Sequence, residues 1–116
     1  MTELIVQTDI VSVGEDGERH PMTIEIGKPY PVGDDFACHV ALRGLHDHIA
    51  PILGVDQMQA LTLALSMVKA NLTILQEKGY KILFPDDVEE DISVTEIWFS
   101  GLENRGDPNQ ALHRTK

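Results

Sequence analysis

Three histidines, His39, His46 and His48, are the residues whose type and spacing come nearest to chemistry in this chain. A His-x-His pair with a third imidazole across a strand could ligate zinc or another divalent ion, leaving one position for water. An even-length turn around Arg43-Gly44 would put all three rings on one sheet face, opposite Phe36, Cys38 and Val40. The spacing follows no established metal motif, and Asp47 falls on the other face. Polar residues on a solvated face are the simpler reading. No metal or other cofactor is therefore expected, and the three histidines remain the candidates for one.

Other reactive side chains offer less. Cys38 shares parity with Phe36 and Val40 and reads as a small core residue, whereas a nucleophile needs an accessible sulfur with a lowered pKa. Asp34-Asp35 and the run Asp86, Asp87, Glu89, Glu90, Asp91 lack calcium-loop spacing and an apolar pocket that would raise a pKa. No Gly-x-Gly-x-x-Gly, Walker, Gly-x-Ser-x-Gly or zinc-ribbon pattern occurs. Without a nucleophile–base pair the chain is expected not to be an enzyme.

The 116 residues carry 9 Lys and Arg against 19 Asp and Glu, a formal net charge of -10. Such a surface repels phosphate backbones, which removes nucleic acid from the expected partners and favours a basic protein. A hydrophobic content of 42% supports a packed core, and the length fits one domain, expected over residues 1–100. No run reaches the ~20 apolar residues of a membrane span, and the opening Met-Thr-Glu-Leu-Ile-Val lacks the basic-then-apolar pattern of a secretory signal. A single cysteine fits a reducing compartment, so the cytoplasm is the expected location.

The elements that must position these side chains follow from periodicity. Leu4–Val13 reads as a strand, 14–18 as a turn, and Met22, Ile24 and Ile26 alternate with polar residues in a second strand. Residues 27–35 hold two prolines and two glycines and read as a loop. Alternation from Phe36 to Arg43 gives a third strand, and 47–53 a fourth that Pro51 demotes to an edge. A helix follows from Asp56 to Lys78, with Asp56 as its cap and Gly79 as its terminator. Tyr80, Ile82 and Phe84 form a further strand stopped by Pro85; 92–99 reads as a last strand or a helix, and 101–116 as a mobile tail. The expected fold is α+β: an antiparallel meander of four strands, one long helix on one face, and one or two C-terminal strands.

The helix is apolar over an arc about twice the usual ~100° width, its polar arc being Thr62, Ser66, Lys69, Thr73 and Gln76. Either a C-terminal segment with Trp98 and Phe99 covers the second flank, or another chain does. Leu61, Leu65, Val68 and Leu72 are the expected contacts in the second case. Asn71, near the middle of the apolar arc, is expected to bond a loop backbone, or its own counterpart across a dimer axis.

The run from Ile52 to Ala64, Ile-Leu-Gly-Val-Asp-Gln-Met-Gln-Ala-Leu-Thr-Leu-Ala, after Cys38-His39-Val40, resembles a group of small bacterial domains of unknown function. They share a strand meander, a Gly-x-Asp-x-x-Gln-Ala-Leu helix start and a strand after the helix. The resemblance covers residues 20–84 and implies a compact α+β domain without implying an activity. Within the motif, Asp56 caps, Gln59 reaches back to the cap's N–H, and Ala60 permits close helix–sheet approach. The expected function is a non-enzymatic protein-interaction domain, working as a homodimer. The alternatives are an acidic immunity-type protein that neutralises a basic toxin or nuclease through Asp86–Asp91, and a metal-binding protein built on the three histidines.

Overall fold

The computed structural model describes residues 3–45 and 51–86. Strand β1 (Leu4–Val13) and strand β2 (Arg19–Gly27) form a long antiparallel hairpin in which Ile10 faces Met22 and Thr8 faces Ile24. Its turn closes through the Gly17 N–H on the Gly14 carbonyl (2.9 Å) and the Glu18 N–H on Asp16 Oδ1 (2.9 Å), with Gly17 at φ +81°. That positive φ is accessible to glycine at little cost.

The stretch 27–35 is not wholly loop. It contains a short strand, β3 (Tyr30–Val32), paired with β4 (Asp35–Cys38). Proline is tolerated in β3 because the strand lies at a sheet edge, where the N–H that Pro31 lacks has no strand to bond.

The third expected strand is also divided. It runs as β4 and then β5 (Val40–Arg43), with His39 between them, and the two halves enter different sheets. One sheet has the order β5-β2-β1-β7, with β7 at Lys81–Leu83; the other has the order β3-β4-β6, with β6 at Ile52–Gly54. All pairings are antiparallel among the described residues. With one helix over both sheets and a strand after it, the fold is α+β. Strand β6 is an edge strand immediately after Pro51, as proline at that position requires.

Helix α1 (Gln57–Glu77) is capped by Asp56, whose Oδ1 accepts the Gln59 N–H at 2.8 Å, and ends at Lys78 and Gly79, the latter at φ +98°. Its core stripe is Ala60, Ala64, Val68, Leu72 and Leu75, one residue per turn. The stripe packs on Ile10, Met22, Ile24, Ile26, Val40, Leu42 and Ile82 from the larger sheet and on Cys38 from the smaller one. Small residues at the first two positions let the backbones approach: a Cβ on Gly54 would meet the Ala60 Cα at 2.8 Å and the Gln59 carbonyl carbon at 2.9 Å. By length and composition alone α1 could cross a membrane, an 18-residue window having a mean hydropathy of 1.3, a property that packed core helices share.

Candidate functional site

Of the expected histidine face only His39 lies among the described residues. Strand β6 pairs with β4, Cys38 opposite Ile52, while β5 pairs with β2. His46 and His48 lie outside the described residues. His39 sits at the crossing between the sheets, where its Nε2 is 3.3 Å from Glu25 Oε1; Arg43 Nη2 is 3.3 Å from the same oxygen. The carboxylate is thus held between an imidazole and a guanidinium on the sheet face away from α1. Burial pushes the Glu25 pKa up, but the hydrogen bonds from His39 and Arg43 outweigh it and leave the carboxyl below its ordinary value. Beside it, the Thr23 hydroxyl donates to Asp9 Oδ1 at 2.9 Å. Among the described residues no group of three His, Cys, Asp or Glu side chains is arranged to hold a metal ion.

Cys38 is fully buried, and its thiol donates to the Gly27 carbonyl at 3.3 Å. Burial pushes the thiol pKa up, against the requirement of a nucleophile. Of the acidic run, Asp86 is exposed, while Asp87, Glu89, Glu90 and Asp91 lie outside the described residues, as do Trp98 and Phe99.

The helix residues expected at an interface divide into two groups. Val68 and Leu72 are buried within this chain, under the sheets, so they are unavailable to a partner. Leu61 and Leu65 are half-buried against the same core. Sequence projection treated the apolar arc as a single surface, whereas the sheets select one stripe of it. Asn71 also takes a different partner: its side-chain amide donates to the Met67 carbonyl one turn back, at 2.8 Å, instead of to a loop. The capping-box contact differs as well, since Gln59 Oε1 accepts from the Val55 N–H at 2.7 Å, one residue before the cap.

A further group of solvent-facing apolar residues lies on the three-stranded sheet. Register places Tyr30, Ala37 and Leu53 side by side across β3, β4 and β6, and period-two alternation adds Val32 and Val55 to that face. Ala37 is buried, but Leu53 is 56% exposed, Val55 68% and Met58, in the first turn of α1, 71%. The opposite face carries Phe36, Cys38 and Ile52 into the core. Short strands with a proline-rich approach hid this surface from sequence reading; the isolated apolar pairs Tyr30/Val32 and Leu53/Val55, two residues apart, were the available signal.

This strand–helix–strand arrangement around the capped Gly54–Asp56 turn lies within residues 9–94, which match the family model of the domain of unknown function DUF6968. The chain belongs to that family. The DUF6968 match takes in the second half of β1, the other described strands and the whole of α1. No curated protein and no solved structure matches the chain.

Proposed function

We propose that this DUF6968 domain is a non-enzymatic protein-interaction module, and that its partner is a second copy of itself. The observation supporting this is the apolar outer face formed by Tyr30, Val32, Leu53 and Val55, continued by Met58. Monomeric proteins rarely leave contiguous apolar surface of this kind open, and burying it removes apolar area from water at roughly 25 cal/mol per Å². A two-fold interface needs a patch complementary to itself, and an uncharged apolar sheet face meets that condition without pairing unlike charges.

The test is sedimentation equilibrium on the full chain and on Leu53→Lys. The lysine disrupts an apolar contact while reducing the repulsion between two chains of net charge -10 each. The expected result is a dimer for the parent chain and a folded monomer for the variant, because Leu53 is exposed within the single chain. A parent chain that stays monomeric at about 100 μM, a concentration ample for micromolar dimers, would overturn the reading. So would a dimer indifferent to the substitution.

A further inference from the structure

At the other end of α1, about 25 Å along the helix from Met58, the β1–β2 hairpin, the Leu45 turn and the start of β7 enclose a cleft of about 200 Å³. Its apolar walls are Met22, Leu45 and Leu75, and its polar groups are Ser12, His20 and Tyr80. Ser12 is the one buried polar residue among those described, at 4% exposure, and its hydroxyl makes no hydrogen bond to the described residues. The hydroxyl opens onto the cleft, where a ligand atom able to bond it would take the place of water. His20 lies directly opposite Ser12 in the hairpin register, so both side chains leave the same face of the sheet.

Two carboxylates adjoin this cleft. The Glu15 carboxylate lies against Gly79, the residue before Tyr80. The Asp16 carboxylate and the Tyr80 ring both lie against Gly14. Leu75 and Tyr80 sit at the C-terminal end of α1, where the helix dipole is negative and no basic residue occupies the last turn. With no Lys or Arg among the described lining residues, these carboxylates and the helix end disfavour an anion and favour a positive head group. Tyr80 adds an aromatic ring and a phenolic acceptor, both suited to an ammonium group.

We propose that this cleft binds a small organic amine, its ammonium held by the Ser12 and Tyr80 oxygens and its apolar body against Met22, Leu45 and Leu75. This assignment is independent of the self-association reading, since the two surfaces lie at opposite ends of the helix. The volume suits a single-ring amine. Tyramine is the probe, with 4-hydroxyphenylacetate as the control in which an anionic head replaces the cation on a similar body.

Amide chemical-shift titration of the full chain is the experiment. Tyramine is expected to give saturable shifts at Ser12, His20 and Tyr80 with a Kd on the order of 1 mM, and 4-hydroxyphenylacetate to bind at least about tenfold more weakly. Ser12→Ala is expected to weaken tyramine about fivefold, as loss of one hydrogen bond does, without lowering thermal stability, because the hydroxyl bonds nothing in the free fold. Tyr80→Phe, which keeps the packed ring, provides a second variant with the same expectation. The proposal is overturned by the absence of saturable shifts up to about 10 mM tyramine, by equal binding of the anion, or by tyramine binding unchanged in both variants.

Discussion

Glu25 shows what a single residue does here beyond filling a position. It faces away from the helix, yet its carboxylate is largely enclosed between His39 and Arg43. Its folded pKa lies below the ordinary 4.5, so the unfolded chain binds its proton more readily. Its contribution to stability is present above that value and is lost as pH falls through the depressed one. Urea unfolding of Glu25→Gln between roughly pH 3 and 6 should show a flatter acid limb than the parent chain, because the amide has no proton to take up there. Equal slopes for the two proteins would mean that other carboxylates carry the acid sensitivity. The cap at Asp56 is a second residue-level device, reinforced by the Gln59 side chain on the Val55 N–H.

At the scale of elements, α1 separates what it buries from what it leaves to solvent. Leu72→Ala should cost about 2–5 kcal/mol, the range for a buried leucine whose site collapses incompletely. Leu63→Ala, on the 42% exposed side, should cost much less. Chemical denaturation of the two variants checks the contrast. The helix itself was legible in the sequence, from Asp56 to Gly79, because caps and terminators act locally on backbone groups. The hairpin of β1 and β2 was legible for the same reason: period-two alternation and a Gly/Asp turn are local signals. The partition of 35–43 between two sheets was not, since alternation from Phe36 to Arg43 runs on unbroken while the backbone changes partners at His39. Strand β3 was hidden by its prolines, which exclude a central strand but not an edge one. The candidate surface was legible only in part: an apolar excess on the helix was correctly read, but tertiary packing took Val68 and Leu72 and exposed Leu53 and Val55 instead.

For the molecule as a whole, the charge of -10 sets the terms of association. Two like-charged copies repel at long range, and salt screens that repulsion over a Debye length of about 10 Å at 0.1 M. Self-association should therefore strengthen from low to moderate salt, measured by light scattering at fixed protein concentration. Docking of a basic protein would weaken over the same range, so the sign of the salt dependence separates the two kinds of partner. The passage of residues 35–43 from one sheet to the other has its own consequence. At the crossing, the Gly27 N–H bonds the His39 carbonyl at 2.9 Å while the Gly27 carbonyl accepts the Cys38 thiol. The edge of β2 is thereby tied to the same peptide that links β4 to β5. Neither sheet can open without pulling on the strand it shares with the other, so the two layers form one cooperative unit, and a chain break or insertion at residue 39 would divide the protein at the point where its cooperativity resides.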